Sequence, residues 1–197
     1  MDNDKAFWRA AELTVLRSTS IEDRNAWSAE IRRHVIAGEV WKKARGIMLF
    51  AALRYEPDLV PLHALADGRR ISFPALENDR IIPRLVRSAD DLVVAPHGIR
   101  EPSPQCPEME VPELDLIFVP GLGFSPDGTR LGRGRGHYDR FLAGLSGNPV
   151  RCGVCFGCQL QPNLPFDPHD VPMDFILTEN GFIPLADGLE RAMDDAP

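Results

Sequence analysis

Residues 114–139 read LDLIFVPGLGFSPDGTRLGRGRGHYD and give the strongest indication of the fold class. The first six residues are mostly apolar and predict a buried strand. A loop follows in which glycine and arginine alternate over residues 132–136, and a helix is predicted from about residue 138 to 145. A strand, a loop and a helix in this order are typical of an α/β fold with a mostly parallel sheet.

The rest of the chain shows the same alternation of helices and strands. Apolar spacing predicts a helix over residues 5–17 and a second from the N-cap Ser20 to about residue 36. Pro57 is placed to begin a helix that ends at Ala66. Strands are predicted over residues 46–52, 70–73, 150–156 and 175–177, and a long ordered loop or lid over residues 96–112. We therefore expect a sheet covered on both faces.

Length and charge limit the possible functions. The 197 residues fit one domain, residues 1–197. The net charge of −7 argues against a protein that coats nucleic acid, which needs a broad basic surface. The sequence has neither an apolar stretch long enough to span a membrane nor an N-terminal secretory signal, so we expect a cytoplasmic protein without nucleic-acid or membrane partners.

Three cysteines, Cys152, Cys155 and Cys158, have the spacing C-x-x-C-x-x-C of some iron–sulfur and zinc sites. The surrounding segment, VRCGVCFGCQL, is more typical of a strand entering a loop. Side chains alternate along a strand, so Cys152 and Cys158 would share one face and Cys155 the other. A metal would also need Cys106, from a proline-rich loop, as its fourth ligand. We interpret these cysteines as buried thiols, and metal analysis would distinguish the alternatives.

The glycine–arginine loop has the chemistry of an anion site. Glycine lets the backbone approach phosphate oxygens, and Arg133 and Arg135 add charge and paired donors. Asp139 could hold Mg²⁺, the usual companion of a polyphosphate. The standard phosphate-loop and dinucleotide-loop patterns are absent. Two other interpretations are a flexible turn with solvated arginines and an RNA-binding arginine–glycine segment, which the acidic net charge disfavours.

Residues 119–142, VPGLGFSPDGTRLGRGRGHYDRFL, resemble the signature of the 5-formyltetrahydrofolate cyclo-ligase family, close to PGLAFD-x-x-G-x-RLG-x-G-x-GYYD-x-[FY]L. The resemblance covers most of the chain. It includes a basic pair, Lys5 and Arg9, and a glutamate, Glu56. It also includes GIREP at residues 98–102 and the C-terminal pattern formed by Gln159 and LPFDPHDVPMDFILTE at residues 164–179. The central loop is the most specific part of this match.

The resemblance implies a Rossmann-like three-layer α/β sandwich and an enzyme. The family converts 5-formyltetrahydrofolate to 5,10-methenyltetrahydrofolate with ATP and Mg²⁺, releasing ADP and phosphate. We expect a monomer or homodimer with a folate substrate. The alternative is a paralogue that binds nucleotide or folate without turnover.

The resemblance also implies residue roles. Catalytic candidates are Arg133, Arg135 and Tyr138. Nucleotide contacts are expected from Lys5, Arg9, Arg130, Gly132, Arg133, Gly134, Arg135, Gly136, His137 and Tyr138. Substrate contacts are expected from Glu56, Arg135 and His137, and metal contacts from Asp139 and Asp174. His137 is a departure, because the family usually has tyrosine there.

Overall fold

The computed structural model describes residues 2–95 and 98–185, so the first two residues of the predicted loop, Pro96 and His97, lie outside the described residues, as do the last residues of the predicted domain, 186–197. The helices are α1 (Asp2–Ser18), α2 (Ile21–Ala37), α3 (Glu39–Lys43) and α4 (His137–Ala143). The strands are β1 (Gly46–Met48), β2 (Arg70–Glu77), β3 (Arg80–Leu85), β4 (Leu92–Val94), β5 (Arg100–Pro102), β6 (Leu116–Pro120), β7 (Gly123–Phe124), β8 (Arg130–Leu131), β9 (Val150–Val154), β10 (Phe175–Thr178) and β11 (Gly181–Pro184).

A seven-stranded sheet forms the centre, in the order β11-β10-β9-β6-β1-β2-β3. The inner strands β10, β9, β6, β1 and β2 are parallel, whereas β11 and β3 pair antiparallel at the two edges. The mostly parallel sheet predicted from the sequence is therefore confirmed. All five predicted strand regions, including residues 114–119, contain a strand of this sheet, whereas β3 and β11 were not predicted.

Both faces of the sheet are covered. Ile47 of β1 belongs to a buried cluster with Leu16, Ile31 and Trp41 of α1, α2 and α3. Met48, the next residue, belongs to a second buried cluster that contains Leu142 of α4. The alternation of side chains along the strands thus separates two apolar layers, and the predicted three-layer arrangement is confirmed.

The N-terminal helices form largely as predicted. Ser20 is the N-cap of α2, and its hydroxyl accepts a hydrogen bond of 2.9 Å from the Asp23 amide. The helix predicted from Pro57 is wrong, because only a 3₁₀ helix forms, over Val60–Leu65. Pro61 lacks an N–H donor and disfavours the α conformation of the residue before it, which explains the short element. None of the described helices is long and apolar enough to cross a membrane.

The cysteines are packed as predicted. Cys152 lies in the first apolar cluster, and Cys158 packs against it, whereas Cys155 lies in the second. Cys106, Cys152 and Cys155 are buried and Cys158 is partly buried. Burial raises the pKa of the Cys152 and Cys155 thiols, which favours the neutral form.

Candidate active site

A cavity of about 420 Å³ lies at the carboxyl ends of the parallel strands. Phe50 and Ala51 follow β1, and Pro120 and Gly121 lie at the end of β6. Ligands of open α/β sheets bind at these ends. The glycine–arginine loop enters the same cavity from the segment between β8 and α4.

The cavity has one apolar wall and one wall rich in arginine, here called the basic wall, and the carboxylates of Glu56, Glu101 and Asp139 also line it. The apolar wall comes mainly from the segment after β1 and from the β2–β3 hairpin and includes Phe50, Leu53, Pro74, Ala75, Leu76 and Ile81. The basic wall comes from the loop and the start of α4 and includes Arg130, Gly132, Arg133, Arg135, Gly136, His137 and Tyr138. The α4 helix has only seven residues, so the arginines are the main source of positive charge here.

Glu56 and Arg133 form an ion pair within the cavity lining. Nε and Nη2 of Arg133 lie 2.9 and 2.8 Å from Glu56 Oε1. The second carboxylate oxygen of Glu56 accepts a hydrogen bond of 3.0 Å from the Leu53 amide. The Glu56 side chain is 5% exposed and that of Arg133 36% exposed. The structure therefore brings together a predicted substrate residue and a predicted phosphate residue.

Arg130 and Asp139 form a second, more buried pair. Nη2 of Arg130 lies 2.6 Å from Asp139 Oδ1, and Nη1 donates to the Pro120 carbonyl oxygen at 3.3 Å. The Arg130 guanidinium also stacks near the Tyr138 ring, 5.7 Å from its centroid. Within the described residues, Arg130 Nε and the Tyr138 hydroxyl are buried without a hydrogen-bond partner. Both residues belong to the cavity lining, but these two atoms have almost no accessible surface, and their hydrogen-bonding capacity is unused in the described residues.

Burial and the nearby Glu56 carboxylate raise the pKa of Tyr138 far above its ordinary value. The phenol therefore remains protonated at neutral pH and can donate a hydrogen bond.

The loop backbone lies close to α1. Arg9 Nε donates a hydrogen bond of 3.0 Å to the Gly132 carbonyl oxygen. Gly134 has φ +96°, and a Cβ there would lie 3.3 Å from Arg9 Cζ. The second glycine of the loop is thus required both by its left-handed backbone and by the approach of Arg9.

Arg135 is the loop arginine that forms no direct ion pair among the residues that the structure describes, although its charge contributes to lowering the pKa of the Asp79 carboxyl. Its side chain is exposed and lines the cavity. Its carbonyl oxygen accepts a hydrogen bond of 2.9 Å from Arg140 Nη1. Arg133 is therefore held in an ion pair with Glu56, whereas Arg135, two residues further along the loop, is not.

Lys5 differs from Arg9 in its surroundings. Its ammonium lies 2.7 Å from an Asp167 oxygen and 2.5 Å from an Asp170 oxygen, and the residue is buried. Burial by itself lowers the pKa of Lys5, but the bonds to the two aspartates outweigh it and the pKa is raised. Neither Lys5 nor Arg9 is part of the cavity lining among the described residues. Arg9 contacts the loop backbone at Gly132, whereas Lys5 is held by the two aspartates, so a shared phosphate contact of the two basic residues stays a prediction.

The predicted metal residues are not brought together. Asp174 precedes β10 and so lies at the amino ends of the parallel strands, whereas the cavity lies at their carboxyl ends. It forms a two-bond ion pair with Arg151, at 2.7 and 2.9 Å. The second metal candidate, Asp174, therefore lies apart from the first, Asp139, and its role as a metal ligand stays a prediction. In the described part of the chain, the group of acidic and histidine ligand atoms within 4.8 Å of one another is Asp167, His169 and Asp170, where the Lys5 ammonium already lies.

Sequence reasoning missed the residues that connect the hairpin to the loop. His137 Nε2 lies 2.6 Å from Asp79 Oδ1 in the β2–β3 turn, and Arg140 also contacts Asp79. The dipeptide Asn78-Asp79 between two apolar stretches is a hairpin signal that could have revealed this turn.

Comparison with known proteins identifies relatives of this chain. Residues 2–179 match the model of the 5-formyltetrahydrofolate cyclo-ligase family. The 5-formyltetrahydrofolate cyclo-ligase of Mus musculus is 30% identical over 183 residues, which cover 84% of this chain and 88% of that protein. The enzyme of the same name from Mycolicibacterium smegmatis is 33% identical over 72% of this chain and 77% of its own length.

A solved structure shows the same fold. The NMR structure of Aquifex aeolicus 5,10-methenyltetrahydrofolate synthetase superposes with a TM-score of 0.83 at 30% identity, covering 93% of this chain and 94% of that one.

Proposed function

This chain belongs to the 5-formyltetrahydrofolate cyclo-ligase family, and we propose that it catalyses the ATP-dependent conversion of 5-formyltetrahydrofolate to 5,10-methenyltetrahydrofolate, with release of ADP and phosphate. The observation that carries this proposal is the two-sided cavity. Its apolar wall suits a flat heterocycle, and its basic wall suits a polyphosphate.

The chemistry explains why both walls are needed. The formyl amide is a poor electrophile and its oxygen a poor leaving group. The formyl oxygen attacks the γ-phosphorus, and the bond from that phosphorus to ADP breaks. N10 then attacks the formyl carbon, the C–O bond breaks with phosphate as the leaving group, and N10 loses its proton. Phosphoryl transfer of this kind depends mainly on positioning and charge neutralisation.

The residues of the basic wall supply these two effects. Arg135, which forms no direct ion pair within the described residues, is proposed to neutralise the phosphoryl oxygens in the transition state. The backbone amides of Gly132, Gly134 and Gly136 are proposed to bind nucleotide phosphates, with Arg9 supporting the loop. Tyr138, which stays protonated, is a hydrogen-bond donor to the reacting groups. Lys5 would contribute only by exchanging one of its aspartate partners for phosphate.

Mg²⁺ is proposed to accompany the nucleotide. Its chemistry at such a site is to neutralise and orient phosphate oxygens. Asp139 fits this role, because it lines the cavity and one of its oxygens is engaged by Arg130, which leaves Oδ2 for a cation. Glu56 is proposed to bind the hydrogen-bond donors of the pterin ring. It would do so either while it stays paired with Arg133 or after the pair has opened.

The test is the absorbance of the methenyl product after mixing the protein with ATP, Mg²⁺ and 5-formyltetrahydrofolate. We expect a rise that depends on both ATP and protein. No rise at high protein concentration, with a folded sample shown by thermal unfolding, would overturn the proposal. Binding of nucleotide or folate without that rise would instead support the non-catalytic alternative.

The location and assembly of the protein stay predictions from the sequence. We propose a cytoplasmic enzyme, monomeric or homodimeric, which cell fractionation and light scattering of the purified protein would check.

A further inference from the structure

The turn between β2 and β3 fixes the position of an acidic side chain next to the loop. Glu77 pairs with Arg80, so Asn78 and Asp79 form a two-residue turn. Both have positive φ, 48° and 64°, as in a type I′ turn. Asparagine and aspartate tolerate this backbone better than other residues with a side chain. The backbone therefore holds the Asp79 carboxylate in a defined direction.

Asp79 is contacted by two basic residues of α4. Its Oδ1 lies 2.6 Å from His137 Nε2, and its Oδ2 accepts a hydrogen bond of 2.7 Å from Arg140 Nη2. The same Arg140 nitrogen donates to the Asp79 carbonyl oxygen at 3.1 Å. Through its other terminal nitrogen, Nη1, Arg140 donates to the Arg135 carbonyl oxygen at 2.9 Å. A continuous set of bonds thus runs from the hairpin to Arg135.

These bonds join the two walls of the cavity. The hairpin supplies Pro74, Leu76 and Ile81 of the apolar wall, and Arg135 and His137 belong to the basic wall. Between them Gly136 has φ +64°, so the end of the loop contains a residue with little intrinsic stiffness. A contact that holds this end lowers the entropy lost when a ligand orders the loop. Asp79 itself lies outside the described cavity lining, so it acts through other residues.

We propose that Asp79 is a positioning residue that holds Arg135 and His137 against the hairpin wall before the substrates bind. The kinetic consequence rests on the proposed function, because it assumes that Arg135 acts on the transferred phosphoryl group. Misplacement of such a group lowers the rate of the chemical step more than it weakens binding.

The test uses Asp79→Gly, which removes the carboxylate and keeps a residue that adopts positive φ without strain. We expect kcat to fall by roughly tenfold. Asp79→Asn retains an acceptor oxygen, so its kcat should lie between that of wild type and that of Asp79→Gly. The matched control is Asp67→Gly, since Asp67 is also an exposed turn aspartate with positive φ, 45°, and lies outside the described cavity lining. This control should leave kcat unchanged.

A second background separates positioning from general destabilisation. In Arg135→Ala protein, Asp79→Gly should lower kcat by clearly less than the roughly tenfold expected in wild type, because only His137 is left to be positioned. Equal effects in both backgrounds, or no effect in wild type, would overturn the proposal.

Hydrogen exchange provides a readout without turnover. Amides of residues 132–137 should exchange faster in Asp79→Gly than in wild type or Asp67→Gly. If wild type proved inactive, the proposed function would fail, and this exchange would still decide the role of Asp79. Unchanged exchange would overturn that role.

Discussion

Arg133 directs two nitrogens of its guanidinium, Nε and Nη2, at a single oxygen of Glu56, at 2.9 and 2.8 Å. Glu56 is buried, and its other oxygen is bonded to the Leu53 amide. The pair gives Arg133 a structural partner that Arg135 lacks among the described residues. Two arginines separated by one glycine should therefore respond differently to substitution.

Arg133→Ala should destabilise the protein, because it leaves a buried carboxylate without its cation. We expect a loss of about 1–2 kcal/mol, the low end reflecting the partial exposure of Arg133. This corresponds to a fall in Tm of roughly 2–8 °C for a chain of this size. Thermal unfolding measures it, and Arg135→Ala, which breaks no described ion pair, is the control. An unchanged Tm for Arg133→Ala would show that the pair does not contribute to stability.

Asp139→Asn should weaken the response of the enzyme to Mg²⁺. If Asp139 holds the cation, the Mg²⁺ concentration for half-maximal rate should rise by at least about tenfold. The measurement is a Mg²⁺ titration at saturating ATP. Asp174→Asn is the control, since Asp174 pairs with Arg151 at the amino ends of the parallel strands. This variant can lower Tm but should not change the Mg²⁺ concentration for half-maximal rate. A shift with Asp174→Asn alone would reverse our assignment.

The sheet was predictable from the sequence because its strands are buried on both faces. Apolar segments such as residues 114–119 give a strong signal that does not depend on partners. Alternation along β9 also explains why Cys152 and Cys155, the residue just after the strand, lie in different clusters. Cys158 lies in the 3₁₀ helix Gly157–Gln159, where this alternation does not apply. The cap at Ser20 was predictable because it is a local feature of the chain.

The hairpin strand β3 escaped prediction because prolines normally interrupt strands. Pro74 and Pro83 face each other in the β2–β3 pair. β1 pairs only with residues 70–72 of β2. Pro74 therefore lies beyond this pairing, where β1 does not require a backbone N–H from β2. Missing the hairpin also meant missing Asp79, whose contacts with His137 and Arg140 span about sixty residues. Side-chain partners at such separations, including the Glu56–Arg133 pair, have no local signal.

Glu12 predicts a pH dependence of stability. The residue is buried, its Oε1 accepts a hydrogen bond of 2.7 Å from Gln161, and within the described residues its Oε2 has no partner. Burial raises the pKa of the Glu12 carboxyl, and the bond from Gln161 offsets this only in part. Between the unfolded and the folded pKa the folded state binds more protons, so stability falls as pH rises through that interval.

Glu12→Gln removes this titration. The Tm of the variant minus that of wild type should therefore increase from pH 4 towards neutral pH. Each unit of difference between the folded and unfolded pKa corresponds to about 1.4 kcal/mol in the free energy of unfolding. Thermal unfolding of the variant and of wild type at several pH values tests it. A Glu12→Gln difference that shrinks with rising pH would contradict the assignment.

Arg135→Ala should lower kcat more than it raises KM for either substrate. As the γ-phosphoryl group moves to the formyl oxygen, its equatorial oxygens require positive partners in the transition state. Gly134 and Gly136 flank Arg135 and carry no side chain that would block its approach. Arg135 forms no direct ion pair in the described residues, and its charge only contributes to lowering the pKa of the Asp79 carboxyl. Loss of a contact made only in the transition state lowers kcat and kcat/KM together.

The expected cost of Arg135→Ala is roughly 2–4 kcal/mol, by comparison with the removal of an oxyanion donor. Arg135→Lys should restore part of the rate, because it keeps the charge but loses the planar pair of donors. Steady-state kinetics with each substrate varied in turn provides the measurement, and the unchanged Tm expected for Arg135→Ala shows that the fold is intact. If the variant instead raised only the KM for ATP and left kcat intact, Arg135 would bind the nucleotide in the ground state, and its assignment to the transition state would be wrong.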